Sequence, residues 1–130
     1  MHAIDCKVLV RFLTGDHPDQ SQRALALFHD HAIWIAKTVL LETEWVLRSL
    51  YRFDGPRIAG ALKRLLGVPG VHVEDPGAVR DALDWFANGL DFADALHLAS
   101  RGDAEVFATF DQRFRERASR ITSLDIIVPP

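Results

Sequence analysis

Short apolar segments alternate with segments of helical period along almost the whole chain, and this alternation limits the fold more than any other feature. Candidate strands occupy residues 2–5, 32–36, 71–73, 105–109 and 123–128, and a helical pattern follows each of the first four. Strands that alternate with helices form parallel sheets covered by helices, with right-handed crossovers. We therefore predict an α/β fold, a three-layer α/β/α sandwich whose central parallel sheet has about four or five strands.

Length and composition indicate a single folded domain. The 130 residues contain no internal repeat, low-complexity tract or linker, and 48% of them are hydrophobic. A chain of this size buries about two-thirds of its unfolded surface without disulfides or a structural metal, so we expect residues 1–130 to form one domain. No apolar stretch reaches the ~18 residues of a membrane span. The first residues lack the basic region of a signal peptide, so we expect a cytoplasmic protein.

The charge balance argues against binding of nucleic acid by bulk electrostatics. The formal net charge is −3, whereas proteins of that kind are usually strongly basic. Twelve of the fifteen basic residues are arginine, and eight of these lie in two clusters, 48–64 and 113–120. Arginine suits bidentate phosphate contacts. Solvated helix faces are the simpler interpretation of these clusters. Cys6 is the only cysteine, which excludes an internal disulfide and a multi-cysteine zinc site, and its apolar surroundings predict a buried thiol.

Two acids directly follow candidate strands. Asp5 ends the first strand, and Asp111 comes just after the strand at 105–109. Open parallel α/β sheets bind ligands at the carboxyl ends of their strands, so both acids are candidate site residues. The alternative for each acid is a role as the N-cap of the helix that follows.

Asp91 and Asp94 lie three residues apart at the start of an apolar helix, in the run 91–97 (DFADALH). The apolar residues of this helix recur at helical spacing, which leaves the two acids together beside the buried stripe. Two like charges ~5 Å apart repel by roughly 3 kcal/mol at an effective dielectric of about 20, and a bound cation would remove that cost. Alternatively, Asp91 caps the helix and Asp94 interacts with the exposed amides of its first turn.

A helix predicted over 39–53, with Thr38 as its cap, carries two glutamates. Glu42 and Glu44 flank the apolar stripe on opposite edges, so periodicity does not choose between them. Glu44 has Arg48 four residues later, in the favourable order for a surface ion pair. Glu42 has no evident basic partner in the sequence, so we favour Glu42 as the site residue.

A parallel sheet would bring Asp5 and Asp111 to the edge where the helices of Glu42 and Asp94 begin. Carboxylates that converge cannot all stay ionised without a cation, so the cluster implies raised pKa values or a hard divalent metal. Oxygen-only ligation favours Mg²⁺ or Mn²⁺ over zinc. Such sites serve phosphoryl transfer, in which the metal activates a water and neutralises charge on the phosphate. No glycine-rich phosphate loop with a lysine is present, which argues against nucleotide triphosphate binding.

Taken together, Asp5, Glu42, the run 91–97 and the run 109–114 (TFDQRF) resemble the PIN-domain family, in particular its VapC-type toxins. These toxins are the ribonucleases of type II toxin–antitoxin pairs. The resemblance spans nearly the whole chain and keeps the order and spacing of the family's acids. Each motif alone is weak, but the set of four is specific.

The resemblance implies four catalytic acids and a metal ion, Mg²⁺ with Mn²⁺ as a substitute. The catalytic acids are Asp5, Glu42, Asp94 and Asp111, and the metal ligands are these four together with Asp91. Asp91 matches an extra acid of one subgroup, either as a metal ligand or as a helix cap. Position 111 is often asparagine in relatives, which is consistent with a water-mediated role.

The resemblance also implies an activity and partners. Relatives cleave single-stranded or structured RNA, form homodimers and are inhibited by a cognate antitoxin that covers the active site. We therefore expect an endoribonuclease toxin that binds RNA, an antitoxin and a second copy of itself. The RNA-binding residues are unknown from the sequence, with Arg11 and Arg113 as candidates near the acids.

Two other functions remain as alternatives. A catalytically silent PIN-fold module would bind RNA or a partner without cutting, and a missing acid would mark it; none of the four is missing. A phosphoacceptor regulatory domain would need a lysine after a late strand, whereas the lysines of this chain are Lys7, Lys37 and Lys63.

Overall fold

Helices and strands alternate as predicted in the computed structural model, which describes residues 1–130. The chain has seven helices and five strands, and every strand pairing is parallel. The predicted α/β class is therefore confirmed. The chain divides into two compact units, Met1–Pro76 and Gly77–Pro130, called here the N-terminal and C-terminal units. No helix combines the length and the apolar character needed to cross a membrane.

The N-terminal unit contains three strands and four helices. In chain order these are β1 (His2–Ala3), α1 (Cys6–Thr14), α2 (Pro18–Asp30), β2 (Ile33–Ile35), α3 (Lys37–Ser49), α4 (Gly55–Leu66) and β3 (Val71–Val73). The strands form one sheet in the order β1-β2-β3, with Ile33 opposite His2 on one side and Val71 on the other. Ile33 and Ile35 are fully buried, as expected for the central strand of a parallel sheet.

Local signals in the sequence account for the boundaries of three of these helices. α1 ends at Gly15, whose φ of 64° lies in the left-handed region that glycine adopts without strain. Pro18 begins α2, where a missing amide hydrogen costs nothing. Asp54 caps α4 by accepting a hydrogen bond from the Arg57 amide (2.9 Å).

α3 begins earlier than predicted, because its first turn is stabilised by a distant side chain. Ala36 is the N-cap, not Thr38, and Ala36 has no side chain that can accept a hydrogen bond. The Lys37 amide donates instead to Oε1 of Glu74, which follows β3 (2.9 Å). The prediction of Thr38 as the cap was wrong because this acceptor lies far away in the sequence. The buried side chains of α3 are Leu40, Thr43, Glu44 and Leu47.

Glu44 thus belongs to the buried stripe of α3 rather than to its surface. Its side chain is only 5% exposed, and its Oε2 atom accepts a hydrogen bond from Arg48 Nε (2.8 Å). The predicted pair with Arg48 is present, but the prediction of a surface pair was wrong because the carboxylate is buried. A buried carboxylate needs a cation or hydrogen-bond donors to replace its lost hydration. Arg48 meets that need.

The C-terminal unit contains the remaining helices and strands. These are α5 (Pro76–Ala87), which starts at the last residue of the N-terminal unit, α6 (Phe92–Ala99), β4 (Val106–Ala108), α7 (Gln112–Ile121) and β5 (Asp125–Ile127). β4 and β5 form a two-stranded parallel sheet with Val106 opposite Asp125. Phe92, Ala95 and Leu96 of α6 are buried, as their spacing predicts. All five predicted strands are present, hydrogen-bonded as one set of three and one set of two.

Candidate active site

Asp5 lies just past β1 and at the start of α1. Its Oδ1 atom accepts a hydrogen bond from the Val8 amide (3.1 Å), which makes Asp5 the N-cap of α1. Both interpretations of the sequence therefore apply at this position, since the acid follows a strand and also caps a helix. The cap uses one carboxylate oxygen, and the residue is exposed, so the other oxygen remains accessible to a ligand.

Glu42 and Asp5 both lie close enough to the Cys6 thiol to influence its pKa. Cys6 is buried, as predicted. Burial raises the pKa of the Cys6 thiol most, the Thr43 hydroxyl lowers it, and the charges of Glu42 and Asp5 raise it further. Glu42 is exposed, in contrast to Glu44. Of the two glutamates on α3, Glu42 is therefore the one that lies near Cys6, the residue next to Asp5, with its carboxylate accessible.

Arg11, one of the two candidate RNA contacts, lines a cavity of about 410 Å³ beside Asp5. Its guanidinium is already engaged within the chain. Nε donates to Gln20 Oε1 (2.8 Å), and Nη1 donates to the Tyr51 hydroxyl (3.1 Å) and lies 3.6 Å from Asp16 Oδ1. The Tyr51 hydroxyl donates in turn to Asp16 Oδ2 (2.6 Å). This network links α1, α2 and the end of α3, which accounts for Arg11 without a phosphate contact.

Asp111 has an arrangement in the C-terminal unit like that of Asp5 in the N-terminal unit. It follows β4 and caps α7, with Oδ1 accepting a hydrogen bond from the Phe114 amide (2.9 Å). The Asp111 amide donates to the Thr109 hydroxyl (3.0 Å), so the backbone of the turn is held on both sides. Again the cap uses only one carboxylate oxygen.

Asp91 and Asp94 lie at the start of α6. Asp91 occupies the N-cap position, but its side chain makes no capping hydrogen bond. Asp94 lies in the first turn and is half-buried. Burial raises the pKa of Asp94, the charges of Asp91 and Asp111 raise it further, and His97 lowers it. Asp91 and Asp111 are thus each close enough to repel the Asp94 carboxylate.

A cavity of about 260 Å³ in the C-terminal unit brings these three acids together with two arginines. Its lining consists of Leu90, Asp91, Asp94, Asp111, Arg113, Phe114 and Arg117. Neither arginine forms a hydrogen bond or an ion pair within the chain, although carboxylates share the cavity. A cation for the acids together with an anion for the arginines would match this lining.

Donor type and distance decide whether these acids suit a metal ion. The structure gathers no group of three or more His, Cys, Asp or Glu side chains that could hold one ion. The donor type does suit Mg²⁺ or Mn²⁺, because carboxylate oxygens are the ligands that these ions prefer. The repulsion that raises the pKa of Asp94 is also the cost that a cation would remove. Support for the predicted metal site therefore comes from donor chemistry.

Two residues near this cavity were not identified from the sequence. Arg117 follows Arg113 by one helical turn, and that spacing beside Asp111 was the available signal. Phe110 follows the strand predicted at 105–109; the observed strand ends at Ala108, and Phe110 is 79% exposed.

Replacing Asp94 with asparagine is expected to stabilise the metal-free protein at neutral pH. Because the fold raises the pKa of Asp94, the ionised side chain destabilises the folded state above that raised pKa. The penalty is absent once the pH falls below the ordinary pKa of the group. Asp94→Asn should therefore raise Tm in EDTA at neutral pH and give no gain at about pH 3.

Thermal unfolding followed by circular dichroism checks this prediction. Asp103→Asn, which changes an exposed acid outside the cavity, is the matched control and should leave Tm unchanged. A lower Tm for Asp94→Asn at neutral pH would contradict the assignment of Asp94 as a destabilising, repelled carboxylate.

Comparison with known proteins agrees with this geometry. The sequence matches the PIN domain family over residues 3–119, a range that includes all five acids described above. No curated protein matched the sequence. Seven helices and parallel strands in an α/β fold are consistent with the three-layer α/β/α sandwich of that family. Because the match covers most of both units, the chain belongs to the PIN domain family.

Proposed function

We propose that the protein is a Mg²⁺- or Mn²⁺-dependent endoribonuclease that hydrolyses phosphodiester bonds in RNA. PIN domains are commonly nucleases, which supports a hydrolase of nucleic acids as the broader function. The observation that carries the proposal is the cavity that Asp91, Asp94 and Asp111 share with Arg113 and Arg117. Carboxylates suit a divalent ion, and guanidinium groups suit a phosphate.

Five acids have proposed roles in this reaction. Asp5, Glu42 and Asp94 would hold the ion, with Asp91 as a further ligand and Asp111 adjusting its water or a second ion. A bound divalent ion supplies Lewis-acid chemistry, activating water and neutralising charge on the phosphate. Asp5 and Asp111 are oriented by their capping hydrogen bonds, so each presents its second oxygen from a fixed position.

The acidic character of the cavity has a consequence for substrate binding. Carboxylates repel a phosphate backbone, and the charges of Asp91 and Asp111 already disfavour ionised Asp94. Arg113 and Arg117 attract the phosphate from the edge of the same cavity. The phosphate to be cleaved can therefore lie among the carboxylates only when they are neutralised, and we expect activity to depend steeply on the concentration of the divalent ion.

We further propose that the protein is the toxin of a type II toxin–antitoxin pair, acting in the cytoplasm as a homodimer and inhibited by a cognate antitoxin. The support is the VapC-type pattern of acids, together with apolar side chains that a partner would cover. Leu25, Trp45 and Leu50 are each more than half exposed.

Induced expression in cells tests the toxin role. We expect the wild type to arrest growth and Asp94→Asn to lose this effect.

Cleavage of labelled RNA by the purified protein tests the nuclease function. We expect discrete fragments with Mg²⁺ and with Mn²⁺ and none in EDTA, because without the cation no water is activated and the charge on the phosphate is not neutralised. Cleavage that persists in EDTA would contradict metal dependence. RNA binding without cleavage in any ion would favour the catalytically silent PIN-fold module.

A further inference from the structure

We propose that the turn between β4 and α7 binds an unpaired strand of nucleic acid, with Phe110 stacked on a base and Arg113 and Arg117 on the adjacent phosphates. This inference rests on the proposed nuclease function and assigns the residues that bind the substrate strand.

The aromatic ring of Phe110 is exposed to solvent. Its side chain is 79% exposed, the largest fraction among the exposed large apolar residues. Other phenylalanines of the C-terminal unit have ring partners, with centroids 5.4 Å apart for Phe86 and Phe92 and 5.7 Å apart for Phe107 and Phe114. An aromatic face open to solvent is the surface on which unpaired bases stack.

The turn that carries Phe110 is held on both sides by hydrogen bonds. The Thr109 amide donates to the Ile127 carbonyl (2.9 Å), and the Asp111 amide donates to the Thr109 hydroxyl (3.0 Å). Asp111 then accepts from the Phe114 amide to start α7 (2.9 Å). Because the backbone is already ordered, binding at Phe110 loses little conformational entropy.

α7 presents Arg113 and Arg117 one turn apart at the edge of the 260 Å³ cavity. Phe114 and Ala118 are buried and anchor the helix, which leaves the arginines, each one residue earlier, beside that buried face. Arg115 differs, because its Nε donates to the Ile126 carbonyl (3.0 Å). Arg113 and Arg117 have no partner in the chain, and a phosphate backbone would supply one to each.

The surroundings of Phe110 favour a nucleic acid over a protein. A protein partner that buries an apolar residue usually contacts an apolar patch around it. The residues that follow Phe110 are Asp111, Gln112 and Arg113, all of them exposed and polar. A single aromatic ring beside arginines is instead the combination that binds single strands, and a base can stack on it only when the base is not enclosed in a duplex.

The test measures binding without cleavage, so that its result does not depend on nuclease activity. All variants are made in an Asp94→Asn background and assayed in EDTA. The probes are a short single-stranded RNA containing 2-aminopurine, whose fluorescence falls on stacking, a single-stranded DNA of the same sequence, and an RNA hairpin with the label inside its stem.

We expect both single strands to bind with quenching and the hairpin stem to bind more weakly. Phe110→Ala should weaken binding about 5- to 150-fold and abolish the quenching, and Phe110→Tyr should restore both. Arg113→Ala and Arg117→Ala should each reduce the salt slope of log K by about 0.7 while quenching remains. The matched controls, Val106→Ala for an exposed apolar side chain and Arg80→Ala for an exposed arginine, should behave as the background variant.

Unchanged quenching in Phe110→Ala, or equal affinity for the hairpin stem, would overturn the inference. Phe110-dependent stacking in a protein whose wild type cleaves no RNA in Mg²⁺ or Mn²⁺ would support this inference and refute the nuclease function. Cleavage by the wild type with no effect of Phe110→Ala on binding would refute this inference alone.

Discussion

Replacing Glu42 with glutamine is expected to reduce RNA cleavage at least about 100-fold while the fold stays intact. Loss of an outer-shell partner of a metal ligand already costs about 10- to 100-fold, and loss of the charge of a ligand should cost no less. Glu42 is exposed, so the substitution leaves no buried group without a partner. Initial cleavage rates on labelled RNA with saturating Mg²⁺ or Mn²⁺, with Tm measured in parallel, give the result.

Glu44→Gln is the matched control on the same helix. Glu44 is buried and accepts a hydrogen bond from Arg48 (2.8 Å), and glutamine keeps an acceptor there, so cleavage should remain close to that of the wild type. Equal losses in both variants, or a loss confined to Glu44→Gln, would show that the wrong glutamate has been assigned.

Cys6 supplies a second measurement that does not depend on activity. Glu42 raises the pKa of the Cys6 thiol, so Glu42→Gln should lower that pKa, and Glu44→Gln should not change it. The pH dependence of thiol alkylation in the metal-free protein reports the shift.

Phe92→Ala is expected to lower the free energy of unfolding by about 3–5 kcal/mol. Phe92 is 1% exposed and is the largest of the fully buried side chains. Its ring centroid lies 5.4 Å from that of Phe86 of α5, so truncation removes a contact between two helices of the C-terminal unit and leaves a cavity. Urea unfolding followed by circular dichroism measures the change.

Phe110→Ala controls for the loss of a phenyl ring as such. Phe110 is 79% exposed, so its truncation should change the free energy of unfolding by no more than about 0.5 kcal/mol. A cost below about 1 kcal/mol for Phe92→Ala would mean that α6 is not anchored by this side chain.

The sequence could predict where two acids of the candidate site lie relative to the strands. Asp5 and Asp111 were placed just past strands because apolar segments and helical periods are local patterns, and both lie there. The same local patterns also indicated that each acid could cap a helix, and each does. Neither pattern excludes the other, since a cap uses one carboxylate oxygen and leaves the second.

Burial depth and long-range partners could not be predicted. The sequence predicts Glu44 at the surface because Arg48 is a local ion-pair partner. In the structure Arg48 pairs with a Glu44 carboxylate that is buried. The prediction of Thr38 as the cap fails because Glu74, which accepts the hydrogen bond, lies at the end of a different strand. Arg117 joins the acids only through the packing of α7. These features depend on contacts between segments distant in sequence.

The cleavage rates of Asp5→Asn, Asp94→Asn and the double variant test the proposed metal-dependent cleavage most directly. Groups that act as a unit in catalysis are strongly non-additive. We predict that each single variant loses at least about 100-fold and that the double variant loses little more. A wild-type rate for Asp5→Asn, or losses that multiply in the double variant, would contradict the proposal.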